Sequence, residues 1–180
     1  DFLVKLGVRD SKKLTDADML KIGPLLMERI PHSLLIVTPQ KYNQVHEENN
    51  LNAIKAKLHN QAYINLAKKI ELPSFKIIDQ FTPESSYYRY LKNEPQIVRG
   101  IHFETKAEDK YLSVAVGSII SRYGFLKTWE EMEQKYDITF PKGSGDKVDI
   151  LAQEFVDRYG FERLGEVAKL HFKNTEKIRV

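Results

Sequence analysis

Two acidic residues occupy positions in the sequence from which a carboxylate could hold a metal ion. Asp79 ends a short apolar run that begins at Phe75, and Glu108 lies near the start of a helix predicted from Thr105. Hard divalent cations such as Mg²⁺ take oxygen ligands, and one or two carboxylates usually hold them together with substrate phosphates. Two such ions could activate a water molecule and stabilise the leaving oxygen of a phosphodiester.

Each acid also has a purely structural interpretation. Thr105-Lys106-Ala107-Glu108 has the pattern of a capping box, in which Glu108 would accept a hydrogen bond from a backbone amide. Asp79 could instead begin a turn with Thr82 and Pro83. The residue types and their spacing leave these alternatives open.

A polar loop provides candidate contacts to phosphate. Ser11, Lys12 and Lys13 place a hydroxyl and two ammonium groups just before a predicted helix, so they could contact a nucleic-acid backbone. A solvated charged loop is the alternative. The segment from Tyr87 to Tyr90 mixes aromatic and cationic side chains, which could stack on nucleic acid or pack against a sheet edge.

Composition and motif spacing argue against several other kinds of site. The chain has five histidines with no i, i+4 pair, which argues against zinc, and no cysteine, which excludes disulfides and thiolate ligands. The Gly143-Ser144-Gly145 stretch lacks the spacing of a nucleotide-binding loop, so a plain turn is favoured over a phosphate cradle.

The bulk properties predict one globular domain spanning residues 1–180. The chain is 42% hydrophobic, and its net charge of +3 permits a polyanionic partner without requiring one. No apolar run approaches the ~18 residues that span a bilayer, so we expect no membrane association. The absence of cysteine fits a reducing compartment, and we expect a cytoplasmic protein.

Predicted strands alternate with predicted helices, which indicates an α/β fold. Strands are predicted at 33–38, 75–79 and 97–103. Helices are predicted at about 15–29 with a break or kink at Gly23-Pro24, at 50–70, at 84–91, from Thr105 through Trp129 and on to Met132, at 147–159, and from near Gly165.

The helix from Thr105 is predicted to be buried on nearly all sides. Apolar or small side chains cover most of its circumference, which requires other elements around it. Gly117 in its interior costs roughly 0.5–1 kcal/mol relative to alanine, so we expect another element to pack closely against that backbone.

Several segments, in their order and spacing, carry a resemblance to a known family. They are Asp10-Ser11-Lys12-Lys13-Leu14, Asn52-Ala53-Ile54-Lys55-Ala56, Ile78-Asp79-Gln80-Phe81, Lys106-Ala107-Glu108, Val116 to Tyr123, Phe140-Pro141-Lys142-Gly143, and Ala168 to Thr175. Together these segments resemble type 2 ribonucleases H, and among them the bacterial ribonuclease HIII branch, over nearly the whole chain.

This resemblance implies an RNase H-like fold with a mixed central sheet flanked by helices. It implies a metal-dependent endonuclease that cuts the RNA strand of an RNA/DNA hybrid, leaving 5′-phosphate and 3′-hydroxyl ends, with Mg²⁺ or Mn²⁺ in a two-metal site. Asp79 and Glu108 match the family's third and fourth catalytic acids, and Lys12 matches a phosphate-contacting lysine. One oxygen of Glu108 would accept a backbone amide while the other faces the cation. No obligate protein partner is evident.

The sequence also departs from the family pattern. The family's Asp-Glu pair and first strands lie upstream of Asp-Ser-Lys, so we expect them to be missing from this chain and expect the isolated 180 residues to be inactive. The alternatives to a nuclease are a non-catalytic nucleic-acid-binding α/β module and a structural α/β domain whose acids are all caps.

Overall fold

The computed structural model describes residues 2–143 and 145–179. They fall into two compact units, one comprising Asp1–Ile36 and Asn50–Lys127 and the other Val37–Asn49 and Thr128–Val180. Each unit has its own apolar clusters of buried side chains. The single domain proposed for residues 1–180 stays a prediction.

Most of the described chain is helical. The α-helices are α1 Phe2–Lys5, α2 Asp16–Arg29, α3 Pro39–His46, α4 Leu51–Ala67, α5 Glu84–Tyr90, α6 Leu112–Tyr136 and α7 Asp146–Tyr159. Short 3₁₀ helices span Val8–Lys13, Ala107–Asp109, Phe161–Glu166 and Thr175–Lys177. No helix within the described residues has both the length and the hydropathy to cross a membrane.

Two parallel strands, β1 (Lys76–Asp79) and β2 (Ile101–Glu104), form the sheet of the first unit. Lys76 pairs with Ile101 and Asp79 with Glu104. The amide of Gln80 donates to the carbonyl oxygen of Glu104 at 2.9 Å, which extends the pairing by one residue. The carboxyl ends of both strands therefore lie at the same edge, with an acidic residue at each.

The start of α2 is set by an N-cap at Thr15. Thr15 accepts a hydrogen bond from the Asp18 amide, and the Asp18 carboxylate accepts one from the Thr15 amide, which completes a capping box. Of the break or kink predicted at Gly23-Pro24, the break is wrong, since α2 continues through Pro24. Gly23 lies directly against the Tyr123 ring, and this packing holds a turn that proline alone would weaken.

Three element predictions need correction. Residues 33–38 form no strand, because within the described chain they have no strand partner; Leu34 still packs into the core, while Ile36 is 53% exposed. The strand predicted at 97–103 is shorter and ends at Glu104. The α-helix predicted from near Gly165 is replaced by the two short 3₁₀ helices after Gly160.

The helix predicted from Thr105 begins instead at Leu112 and ends at Tyr136. One face is buried as predicted, and the described residues leave another face exposed. Nothing lies within 4 Å of the position that a Cβ of Gly117 would take, so the predicted close packing there is not found among them. The buried residues are Ala115, Val116, Ile119, Ile120, Gly124, Leu126 and Tyr136; the exposed ones include Ser113, Gly117, Ser118 and Ser121.

Candidate metal and nucleic-acid site

The edge of the sheet brings the two predicted acids together. Asp79 is the last residue of β1, and its Oδ1 accepts a hydrogen bond from the Ala107 amide at 2.9 Å. Ala107 is fully buried and immediately precedes Glu108. The carboxylate of Asp79 thus anchors the turn that carries Glu108.

Glu108 lies in a 3₁₀ turn, because the backbone cannot run directly from Thr105 into α6. Lys106 adopts a left-handed conformation with φ 55°, and it, not Thr105, is the N-cap of the turn. Among the described residues no side chain caps this turn, so the structure does not contain the capping box that was one of the two alternatives for Glu108. The Ala107 amide is satisfied by Asp79.

The ammonium group of Lys12 offsets part of the negative charge of the turn that carries Glu108 and Asp109. Lys12 Nζ lies 2.9 Å from Glu108 Oε1 and 2.8 Å from both carboxylate oxygens of Asp109. The hydrogen bond from Lys12 lowers the pKa of Glu108 most, and a hydrogen bond from the backbone amide of Glu108 itself lowers it further. Asp109 and Glu108 together raise the pKa of Lys12 well above its ordinary value. Glu108 and Lys12 are therefore both charged near neutral pH.

The second oxygen of Glu108 has no hydrogen-bond partner among the described residues. Glu108 Oε2 is buried, and the neighbouring Asp79 carboxylate also affects the pKa of Glu108. A buried, unpaired carboxylate oxygen is costly, and it is the kind of atom that a cation can satisfy. The pair of carboxylates therefore fits a hard divalent cation such as Mg²⁺ or Mn²⁺.

The two carboxylates are not a complete ligand set. Among the described residues there is no group of three or more His, Cys, Asp or Glu side chains arranged to hold a metal ion. Mg²⁺ commonly completes its coordination with water and substrate phosphate. A cation at this pair would take its remaining ligands from such groups or from outside the described residues.

The predicted phosphate contacts differ in accessibility. Ser11 is 6% exposed, and its carbonyl oxygen accepts a hydrogen bond from the Leu14 amide. Lys13 is exposed, and the side chain of Lys12 is 56% exposed although it is paired with the acids. Lys12 thus connects the predicted phosphate-contact loop to the predicted metal site.

The aromatic segment after β1 belongs mainly to the core. Tyr87 is fully buried, and its ring makes edge contacts with Tyr88 and Phe103. Burial raises the pKa of Tyr87. Tyr87 therefore packs against the sheet, which was the alternative to stacking on nucleic acid.

The sequence did not reveal which group holds the residues that follow Glu108 in the chain. Glu104, at the end of β2, binds Lys110 and Tyr111, which lie just before α6. The sequence signal was an acid directly after the strand predicted at 97–103. Once that strand is known to pair in parallel with β1, Glu104 must lie at the edge that also holds Asp79.

The helix-rich α/β fold and the acids at the edge of its sheet point to one class of protein. Comparison with known families identifies that class. Residues 1–175 match the family model described as Ribonuclease HII, and the chain belongs to this family. Its curated relatives carry the narrower name Ribonuclease HIII. The chain is 46% identical to that of Streptococcus gordonii over 99% of its own length and 61% of the relative's, and 43% identical to that of Listeria monocytogenes over 97% and 58%.

Solved structures agree with this assignment. A structure described as Bst-RNase HIII in complex with Mn²⁺ has a TM-score of 0.94 and 38% identity, over 97% of this chain and 58% of that one. Ribonuclease H2 from Pyrococcus horikoshii, 22% identical over 97% of this chain and 81% of its own, shares the fold with a TM-score of 0.77. The predicted family and the RNase H-like fold are confirmed. The chain spans about three fifths of the length of the curated relatives named above.

Proposed function

We propose that the full-length protein is a metal-dependent endonuclease that hydrolyses the RNA strand of RNA/DNA hybrids and leaves 5′-phosphate and 3′-hydroxyl ends. The observation that carries this proposal is the convergence of Asp79 and Glu108 at one sheet edge, with Glu108 Oε2 buried and without a hydrogen-bond partner. Membership of the ribonuclease HII family supports the reaction class.

Asp79 and Glu108 are the proposed catalytic acids and metal ligands. The similar Bst-RNase HIII is described in complex with Mn²⁺, which supports a divalent cation, Mg²⁺ or Mn²⁺, as the cofactor. When bound, such ions supply an activated water and stabilise the leaving oxygen of the phosphodiester. In this chain, Asp79 orients the turn through the Ala107 amide. Glu108 has a buried carboxylate oxygen that no hydrogen bond from the described residues satisfies.

Ser11, Lys12 and Lys13 are the proposed contacts to the nucleic-acid backbone. Lys12 supports this role best, since its ammonium lies beside the acids, where a phosphate bound to the same metal would approach. Contacts to phosphate position a nucleic acid without reading its sequence. We propose a cytoplasmic location, which the absence of cysteine supports.

The substitution Asp79→Asn in the full-length protein tests the catalytic assignment. Asparagine keeps an oxygen that can accept the Ala107 amide, so the turn should persist while the negative charge is lost. Loss of several kcal/mol of transition-state stabilisation predicts turnover lower by roughly 10²- to 10³-fold or more. Cleavage of a labelled hybrid is measured with Mg²⁺ and with Mn²⁺, and hybrid binding is measured separately.

The matched control is Glu94→Gln, which removes a carboxylate of the same unit that pairs with Lys57. This variant should cleave like the parent. Parental cleavage by Asp79→Asn contradicts the assignment of Asp79. Salt-dependent hybrid binding by the parent, without cleavage in either metal, would instead identify a non-catalytic nucleic-acid-binding module.

A further inference from the structure

A network of side chains outside the candidate metal pair is centred on Glu104. Its Oε2 accepts a hydrogen bond from the Tyr111 hydroxyl at 2.9 Å and lies 3.1 Å from His102 Nε2. Its Oε1 is paired with the ammonium of Lys110. One carboxylate thus binds groups from β2 and from the residues that lead into α6.

The network closes the far end of the segment that carries Glu108. Residues 105–111 connect β2 to α6, and the Asp79 carboxylate holds the near part of this segment through the Ala107 amide. Glu104 holds the far part through Lys110 and Tyr111. Since Asp79 and Glu104 are paired in register, two neighbouring strand ends fix the segment.

The backbone of this segment needs such fixation. Lys106 has φ 55°, a left-handed conformation that is unfavourable for a residue with a Cβ. A conformation of this kind persists only where surrounding contacts determine it. Contacts on both sides of Glu108 meet that requirement.

The contribution of the network to overall stability should be small. The Lys110 side chain is 55% exposed, and an exposed ion pair typically contributes little to the free energy of unfolding. The Phe75 ring flanks the network, with its centroid 5.6 Å from that of His102 and 5.7 Å from that of Tyr111. The geometry therefore favours a local role in orienting the segment over a role in holding the fold together.

We propose that Glu104 is a positioning residue for the metal site. It fixes the segment so that the Glu108 carboxylate lies beside the Asp79 carboxylate, and it does so without binding the cation. This inference rests on the proposed function for the existence of a metal site, and it adds a residue to which neither the family resemblance nor the proposed function gives a role.

The test is a Mn²⁺ titration of the full-length protein by calorimetry, without nucleic acid. Glu104→Gln preserves shape and can still accept the Tyr111 hydroxyl, but it loses the charge that pairs with Lys110. Outer groups that orient a ligand typically change metal affinity by about 10- to 100-fold, so the apparent Kd for Mn²⁺ should rise about tenfold. Hybrid cleavage at saturating Mn²⁺ should stay near the parental rate.

Lys110→Met breaks the same ion pair from its other side and should raise the Kd in the same direction. The double variant should show less than the sum of the two single effects, as expected for partners in contact. Glu94→Gln is the matched control, because it breaks the ion pair with Lys57, whose N···O distance is 3.4 Å, away from the segment. Its Kd should equal that of the parent.

An unchanged Kd for folded Glu104→Gln overturns the inference. If that variant is unfolded by circular dichroism, Tyr111→Phe, which removes one hydroxyl, decides: a raised Kd supports the inference and a parental Kd overturns it. A parent that binds Mn²⁺ in a Glu104-dependent way but does not cleave hybrids overturns the proposed reaction and supports the positioning role. A parent that does not bind Mn²⁺ overturns both.

Discussion

At the scale of single residues, the contacts of Lys12 set the charge of the candidate site. Its ammonium bridges Glu108 and Asp109, so a cation approaching Glu108 meets an acid that is already paired. If Lys12 also contacts phosphate, it must leave these acids when the hybrid binds. The same side chain then opposes metal binding in the free protein and favours nucleic-acid binding in the complex.

Lys12→Met should therefore change the two affinities in opposite directions. Removing the ammonium leaves more negative charge for the cation, so Mn²⁺ should bind more tightly in the absence of nucleic acid. Hybrid binding should weaken, and the slope of its log–log salt dependence should fall by about 1, the loss of one phosphate contact. Calorimetry and binding titrations at several salt concentrations measure the two effects.

Lys57→Met removes an ammonium that pairs with Glu94, and it controls for the change in net charge. It should leave the Mn²⁺ affinity unchanged. Weaker Mn²⁺ binding by Lys12→Met would contradict the competition between ammonium and metal, and an unchanged salt slope would contradict the phosphate contact.

The sequence was sufficient to predict which acids meet, but not how they are held. Asp79 was recognisable because an acid ends a buried strand, and Glu108 because family motifs surround it. The left-handed Lys106 was not predictable, since no glycine or asparagine marks the position. Glu104 was missed because its role depends on the parallel pairing with Asp79, which becomes visible only once the register is known.

At the scale of elements, two helical glycines have opposite surroundings. A Cβ on Gly23 of α2 would lie 2.5 Å from Cγ of Tyr123, whereas a Cβ on Gly117 of α6 would have nothing within 4 Å. Alanine is otherwise better than glycine in a helix by roughly 1 kcal/mol. Packing therefore decides whether each Gly→Ala substitution stabilises or destabilises the protein.

Gly23→Ala should destabilise the protein by about 1–3 kcal/mol, the usual cost of overpacking, because the Tyr123 ring must move. Gly117→Ala should stabilise it by roughly 0.5–1 kcal/mol. Thermal unfolding followed by circular dichroism tests both, since 1 kcal/mol corresponds to a Tm change of roughly 2–4 °C in a protein of this size. Destabilisation by Gly117→Ala would contradict the open surroundings of that glycine and support the close packing predicted from the sequence.

Element predictions succeeded where local signals and packing agree. The helices α2 and α4 have such signals, and both were predicted within a few residues. The run at 33–38 has the apolar residues of a buried strand, but a strand also needs a hydrogen-bonding partner, which composition cannot supply. The late start of α6 followed from the contact between Asp79 and Ala107, which joins residues far apart in sequence.

At the scale of the whole molecule, low-pKa carboxylates should govern stability in acid. Glu166 in the second unit is bound by Lys135, Tyr136 and Arg163, and these groups lower its pKa from 4.5 to about 2. Lys110, His102 and Tyr111 lower the pKa of Glu104 in the first unit in the same way, also to about 2.

The sign of the effect follows from linkage. A carboxyl group whose pKa is lower in the folded state than in the unfolded state stabilises the fold above the unfolded value, and this contribution is lost as the pH falls through the folded value. The contribution of Glu166 should therefore be complete above about pH 4.5 and should disappear on acidification toward pH 2.

Glu166→Gln should remove this part of the acid sensitivity. The variant should be less stable than the parent at pH 7, and the difference in free energy of unfolding should shrink between pH 4.5 and pH 2 as Glu166 of the parent becomes protonated. Urea unfolding at a series of pH values measures that difference, and Asp157→Asn, an exposed acid of α7 bound by Gln153, serves as control. A difference that stays constant across this pH range would contradict the lowered pKa, because the interactions of Glu166 would then not depend on its charge.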